Sequence, residues 1–264
     1  MLNGLSTINI ELTSRCNKSC WMCGRRKIDK DYPEIKMKYG DMSWHTLKKL
    51  QEQIPPNIVV QFHSNGEPTL YPQLKQALEL FPDNFKHFDT NAKLIVERAD
   101  DIINNLDTMT ISVIEQDPEG DQQYKTVKEF LEIKGDRKPY LIYRLLGKVS
   151  SAGRWYKLPG VVATQILHHP LGSFQYKGVP TVPEIGVCLD LLHHLVIDRF
   201  GNIFPCVRLD ARMEGKLGNI NTESLESIWK GEKRMKLIEA HIKGNRTTSP
   251  VCKRCKFWGC PTGY

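Results

Sequence analysis

Among the polar and apolar positions of the chain, Ile8-Asn9-Ile10-Glu11-Leu12 forms an apolar, strand-like run. After Ser43, an expected N-cap, Trp44, Leu47, Leu50 and Ile54 recur at helical spacing until Pro55-Pro56 stops the run. Ile58 to Phe62 reads as a buried strand, and Gln73 to Leu80 as a helix ended by Phe81-Pro82. Lys86 to Asp89, Thr108 to Val113 and Tyr140 to Leu145 are further strands. Helices over Ala99 to Asn105 and Gln122 to Ile133 separate them, the second capped by Gly135. Strand and helix thus alternate for about 145 residues, which predicts βα units around a parallel sheet. Five or six such units make an α/β partial (β/α)6 barrel, short of the eight of a closed barrel.

The pattern changes near Leu146. Gly147, Gly153, Pro159, Gly160, Pro170, Gly172, Gly178, Pro180, Pro183 and Gly186 punctuate a stretch with few helical signals. Val161 to Leu167 is the expected last barrel strand. His194 to Asp198 and Asn202 to Cys206 flank Arg199-Phe200-Gly201, a hairpin signal, and a helix is expected from Leu225 to Ile242. The expected division is a barrel over 1–167, a connecting or substrate-covering segment over 168–187, and a small C-terminal domain of hairpin and helix over 188–264.

Composition narrows the class. The 264 residues are 40% hydrophobic and 25% charged, ordinary for a globular protein with a full core. No apolar run approaches the roughly 20 residues that span a bilayer. Leu189 to Ile197 is interrupted by Asp190, His193 and His194. No secretory leader pattern opens the chain, and with metal-type cysteines this leads to an expectation of cytoplasmic localisation and no membrane partner. The formal charge of +7 permits an anionic substrate without requiring one.

Three of the 8 cysteines fall in Cys16-Asn17-Lys18-Ser19-Cys20-Trp21-Met22-Cys23, directly after the first strand. Disulfides suit small secreted domains. Structural zinc takes four ligands in paired knuckles, which a three-cysteine loop does not supply. A [4Fe–4S] cluster normally takes four cysteines, so a loop of three leaves one iron open to another ligand. The spacing C-x3-C-x2-C resembles the signature of the radical S-adenosylmethionine (SAM) superfamily. The resemblance implies that Cys16, Cys20 and Cys23 bind a [4Fe–4S] cluster whose open iron chelates SAM, and that one-electron cleavage yields a 5′-deoxyadenosyl radical.

Other segments extend the resemblance. Asn65-Gly66-Glu67-Pro68, one βα unit later, is similar to the family's GGEP motif, which implies contact with the SAM amino group; Asn65 replaces the usual first glycine. Both loops follow strands, at the edge where parallel sheets bind ligands. Asp89-Thr90-Asn91 resembles the region that meets the SAM carboxylate and ribose, and equally reads as an Asx-capped turn. Arg144 is read either as a residue aimed at the SAM carboxylate or as a snorkelling strand arginine. Met22 stands where many members place an aromatic residue near adenine.

Cys188, Cys206, Cys252, Cys255 and Cys260 form a second group. Its order resembles the C-terminal SPASM extension, and the count fits the shorter Twitch form with one auxiliary [4Fe–4S] cluster. The match implies Cys188, Cys206, Cys252 and Cys255 as ligands, with a zinc site as the rival. Gly201-Asn202-Ile203-Phe204-Pro205-Cys206, and Leu217 to Ile220 leading to Ser227-Ile228-Trp229, resemble a dehydrogenase branch of the superfamily. Cys260 is left over, as an inert residue, a surplus ligand or a hydrogen donor. Arg208 and Asp210 are candidate catalytic or substrate contacts. Sulfatase-maturating relatives place aspartate after the hairpin cysteine, where this chain has Val207. His168-His169 and His193-His194 are read as structural, since neighbours on a strand face opposite ways. Lys253-Arg254 and Lys256-Phe257-Trp258 interleave basic and aromatic groups, as single-strand binders do, though such residues more often pack around and shield a cluster.

The function implied is a radical SAM enzyme that removes hydrogen from a substrate C–H. Net two-electron oxidation with the auxiliary cluster as electron acceptor comes first. The alternative is an isomerase or epimerase acting on a nucleic-acid base, nucleotide or peptide, and a non-catalytic metal-stabilised module comes last. The expected partners are a small-molecule, nucleotide, nucleic-acid or peptide substrate and a one-electron reductant such as flavodoxin or ferredoxin.

Overall fold

The computed structural model describes residues 2–165, 187–207, 210–253 and 255. Nine strands form one sheet: β1 (Thr7–Ile10), β2 (Val59–Gln61), β3 (Phe85–Thr90), β4 (Thr108–Ile114), β5 (Tyr140–Leu146), β6 (Val161–Gln165), β7 (His194–Ile197), β8 (Asn202–Phe204) and β9 (Gly218–Asn219). Their order is β6-β5-β4-β3-β2-β1-β7-β8-β9. The six strands β1 to β6 are parallel and follow the chain order, as strand–helix alternation predicts. The helices among them are α1 (Gly24–Asp31), α2 (Trp44–Gln51), α3 (Leu74–Glu79), α4 (Ala99–Ile102), α5 (Gly120–Lys134) and α6 (Ala152–Trp155).

Local chemistry accounts for these elements. Ser43 caps α2 by accepting the Thr46 amide at 3.1 Å, a contact that stabilises a helix by about 1 kcal/mol. In β5, Leu141, Tyr143 and Leu145 are buried in the core, while Ile142, Arg144 and Leu146 share the other, half-buried face. Ile8, Ile10, Val60, Phe62, Phe88, Met109 and Ile111 fill the same core from the neighbouring strands.

The C-terminal hairpin does not stand apart from the barrel sheet. β7 pairs in parallel with β1, from Thr7 opposite His194 to Ile10 opposite Ile197. β8 and β9 continue the sheet antiparallel. Asp198 makes the turn, its Oδ1 accepting the amides of Phe200 and Asn202 and its Oδ2 the Asn202 amide nitrogen Nδ2, and Gly201 adopts φ +80°. The hairpin thus sits beside the strand that leads into the first cysteine loop.

The single helix expected over Leu225 to Ile242 is two, α8 (Leu225–Trp229) and α9 (Glu232–Ile242), with α7 (Leu189–His193) before them and α10 (Pro250–Lys253) after. Gly231 takes an extended conformation between α8 and α9, where a Cβ would press on the Ser227 carbonyl. Among the described residues no helix is long and apolar enough to cross a membrane. Ile166, Leu167, His168-His169 and the 168–186 part of the connecting segment lie outside the described residues, as do Arg254 and the basic–aromatic run from Lys256.

Candidate functional site

The first cysteine loop leaves β1 through Glu11 to Ser14 and ends in α1, with Cys23 as its N-cap. That places the Cys23 end of the loop at the positive pole of a helix, favourable for negative charge. The Cys23 amide donates to the Cys20 carbonyl at 3.1 Å and closes the loop. Burial, with Cys23 and Cys16 close by, pushes the Cys20 thiol up to about 11 even though Lys18 opposes it. A thiol held so is a poor anion alone and a good ligand once a metal supplies positive charge, and three sulfur donors in one loop fit an iron–sulfur cluster.

A cavity of about 320 Å³ lies over this loop. Its lining includes Cys16, Cys20, Met22 and Cys23 from the loop, Asn65, Gly66 and Glu67 after β2, and Asp89, Thr90 and Asn91 at the end of β3. These sequence-predicted residues therefore converge from three successive strands, on the edge expected for ligands in a parallel sheet. Pro68 is buried at the start of a 3₁₀ turn, Pro68–Leu70, beneath them.

Close backbone packing builds that edge. The Glu67 amide donates to the Arg15 carbonyl at 2.8 Å. A Cβ on Gly66 would collide with the Thr13 and Arg15 carbonyl oxygens, so only glycine fits. Asn65 donates its amide and its Nδ2 to Glu11 Oε2, at 3.2 and 2.8 Å. The Glu67 carboxylate is buried and accepts from Thr69 Oγ1 at 2.7 Å, Thr90 Oγ1 at 2.6 Å and the Asn91 amide at 2.7 Å. Burial raises its pKa in spite of these donors. Its side-chain oxygens thus tie the β2 and β3 loops together. Asn91 caps a turn, its Oδ1 accepting the Lys93 amide, while its Nδ2 points at Asn17 Oδ1 (2.9 Å) and Cys16 Sγ (3.8 Å).

Arg144 sits on the half-buried face of β5 and forms an ion pair with Asp89. Asp89 also meets His87 Nε2 at 3.0 Å and His63 Nε2 at 3.6 Å. Burial would raise the Asp89 carboxyl, but these neighbours outweigh it and hold the group well below the usual range. Burial holds the His63 imidazole neutral, its pKa down to about 4. Its Nδ1 accepts the Asp89 amide at 3.1 Å, which leaves the proton on Nε2. Asn9 and His194 continue the network, with 2.5 Å between His194 Nε2 and Asn9 Oδ1. His63, His87 and Asp89 have ligand atoms within 4.8 Å of one another, yet Arg144 already occupies the carboxylate a divalent ion would need. The group is a hydrogen-bonded polar floor. The sequence reading missed His63 and His87; the i, i+2 spacing of His87 and Asp89 on one strand face was the available signal.

A second cavity, of about 370 Å³, adjoins the first and shares Arg25, Ser64, Asn65 and Val207 with it. Phe200, Phe204, Cys206, Asp210 and Met213 line its far side. Asp210 Oδ2 accepts the Gly215 amide at 2.7 Å, while its buried Oδ1 has no donor among the described residues. Cys188 caps α7, Cys206 follows β8, and Cys252 and Cys255 lie in and after α10. Burial raises the Cys188 and Cys252 thiols, and Cys255 raises both further. His193 and His194 are engaged structurally, His193 Nδ1 with the Gly4 carbonyl at 2.9 Å. Arg208 and Cys260 lie outside the described residues.

Residues 188–256 match the SPASM family, described as an iron–sulfur cluster-binding domain. Over 261 residues, 95% of this chain and 92% of the relative, the sequence is 24% identical to an S-adenosyl-L-methionine-dependent 2-deoxy-scyllo-inosamine dehydrogenase of Niallia circulans. Among solved structures, BtrN in complex with AdoMet and 2-DOIA superposes with a TM-score of 0.57 at 21% identity, covering 95% of this chain and 92% of BtrN. Streptococcus suis SuiB bound to S-adenosylmethionine gives 0.64 at 14% identity, covering 97% of this chain and 73% of SuiB. The structural likenesses speak to the fold. The SPASM match and the likeness to the SAM-dependent relative bear out the resemblance to radical SAM proteins that carry a C-terminal iron–sulfur segment, and they agree with the expected cofactors, SAM and [4Fe–4S].

Proposed function

We propose that this chain is a radical SAM oxidoreductase that carries out a two-electron oxidation at a substrate C–H. The observation that carries the reading is the convergence of Cys16, Cys20 and Cys23 with Asn65 to Glu67 and Thr90-Asn91 around one cavity, next to a second cavity lined by Cys206. Bound there, SAM and a reduced three-cysteine [4Fe–4S] cluster would supply a 5′-deoxyadenosyl radical, and an auxiliary cluster a one-electron acceptor.

The chain's own residues divide the remaining work. Cys16, Cys20 and Cys23 would hold the first cluster, and Asn65, Gly66, Glu67 and Pro68 form the turn that would receive the methionyl amino group. Because the Glu67 carboxylate is engaged by Thr69, Thr90 and Asn91, that turn would offer main-chain acceptors. Thr90, Asn91 and Arg144 would meet the carboxylate and ribose, and Met22 the adenine. Cys188, Cys206, Cys252 and Cys255 would hold the auxiliary cluster, in a unit over 188–264 that follows a barrel over 1–167. Arg208 and Asp210 would contact substrate, and the bare Oδ1 of Asp210 suits a hydroxyl or ammonium donor. The relative's name identifies it as a dehydrogenase, which supports oxidation over isomerisation. A flavodoxin or ferredoxin would deliver the first electron.

Reconstitution with iron and sulfide without oxygen, followed by iron counting and a SAM-cleavage assay, tests the reading. It predicts about eight irons per chain and release of 5′-deoxyadenosine. Reduced, iron-replete protein that forms no 5′-deoxyadenosine from SAM would refute it.

A further inference from the structure

Arg246 follows α9 in a 3₁₀ turn, Arg246–Thr248, and is 6% exposed. Its Nη1 donates to the Cys252 carbonyl at 2.7 Å and to the Cys255 carbonyl at 3.3 Å. The guanidinium therefore sits inside the turn that joins two candidate ligands, and the Cys255 amide closes the same turn on the Cys252 carbonyl at 3.1 Å. His241, on α9 and 1% exposed, accepts the Cys188 amide on Nδ1 at 3.3 Å. Helix α9 and the turn after it thus gather three of the four candidate ligands.

Neutral donors would suffice to tie two carbonyls together. A guanidinium keeps its charge at any ordinary pH, and this one lies one hydrogen bond from the backbone of two candidate ligands, beside any cluster they hold. We propose that Arg246 is the positioning residue of the auxiliary cluster and sets its reduction potential, holding the Cys252–Cys255 turn while its positive charge favours the reduced form. One-electron reduction makes the cluster more negative by one unit, so an adjacent cation stabilises the product of that step more than the reactant. A higher potential makes the cluster a better acceptor for the electron that a substrate carbon radical gives up as it loses a proton. The inference rests on the assignment of an auxiliary cluster made above.

The test isolates that cluster in the Cys16→Ala/Cys20→Ala/Cys23→Ala protein, reconstituted without oxygen and titrated by EPR-monitored reduction. Arg246→Gln keeps donors and removes the charge; Arg246→Lys keeps the charge. The expected result is an iron-replete Gln protein whose reduction equilibrium is at least tenfold less favourable, 59 mV for one electron, with Lys recovering half or more of the difference. Loss of iron in Gln with retention of both iron and potential in Lys also supports the proposal. An unchanged midpoint in iron-replete Gln overturns it, as does equal loss of iron from Gln and Lys, which leaves Arg246 a strut. Zinc in place of iron in the triple-alanine parent defeats the auxiliary-cluster assignment itself, and is seen before any Arg246 variant is compared.

Discussion

Lys18, in the middle of the first cysteine loop, and Asp117, in the connection from β4 to α5, form an ion pair with side chains only 4% and 6% exposed. Trp21 reinforces the clasp by donating Nε1 to the Glu115 carbonyl at 3.0 Å. The loop is thus fastened to a segment some 99 residues further along the chain. Removing one member of a buried pair strands the other charge and costs about 3–5 kcal/mol, whereas replacing both with apolar residues costs far less. Lys18→Met should therefore lower the unfolding midpoint markedly and reduce iron uptake by the first site. Lys18→Met/Asp117→Leu should recover most of the stability, read by urea unfolding of the two variants beside the parent.

Glu67 is the second brace. Its carboxylate takes hydrogen bonds from Thr69, Thr90 and Asn91, two of them main-chain amides that cannot turn away. In Glu67→Gln one oxygen becomes an NH2 facing a donor, and an unsatisfied buried group costs about 1–3 kcal/mol. The expected outcome is a loss of that size in urea unfolding, with weaker SAM binding in equilibrium dialysis because the β2 and β3 loops separate. Binding and stability both at parental values would show that the brace is dispensable.

The legible parts of this molecule were those encoded over short distances. The strand-like run at β1, the 3.6-residue period of α2 and the succession of such segments predicted the parallel sheet, because core burial imposes those periods locally. The cysteine loop and the turn at Asn65 were readable because each ligand set lies within a few residues. Pairings that depend on strand register were not: Arg144 meets Asp89 across 55 residues, and Arg246 meets Cys252 only through a turn with no motif of its own. Helix α1 escaped because Gly24-Arg25-Arg26-Lys27-Ile28-Asp29-Lys30-Asp31 carries a single large apolar residue. The break between α8 and α9 escaped because the apolar spacing runs on through Gly231, while the backbone there does not.

The polar floor predicts a pH dependence. Burial lowers the His63 imidazole from 6.5 to about 4, so between those values the unfolded chain holds a proton that the folded chain lacks. Stability is then complete above about pH 6.5 and falls as pH drops through the window, by up to roughly 3 kcal/mol at pH 4. Asp89, held low in the folded state, adds a loss of the same sign at lower pH still. Unfolding of cluster-free protein at pH 7.5, 6.5, 5.5 and 4.5 should show this decline, with a shallower slope in His63→Gln. Parallel slopes would mean that the imidazole is hydrated in solution.

Gly66 gives the sharpest contrast between shape and charge. A Cβ added there would meet the Thr13 and Arg15 carbonyl oxygens, on the chain between β1 and Cys16, so a methyl group must push the cysteine loop away from the Asn65 turn. Such overpacking costs about 1–3 kcal/mol in a site that cannot relax. Backbone oxygens offer no rotamer by which to give way. Gly66→Ala should keep the fold and the iron bound by the C-terminal cysteines, yet lose most SAM binding at the first cavity. Gly153, which has open space around it, serves as the control: Gly153→Ala should leave SAM binding unchanged. Equilibrium dialysis with SAM, paired with iron counts, reads both. Equal retention of SAM by the two variants would remove the Asn65–Pro68 turn from the binding site.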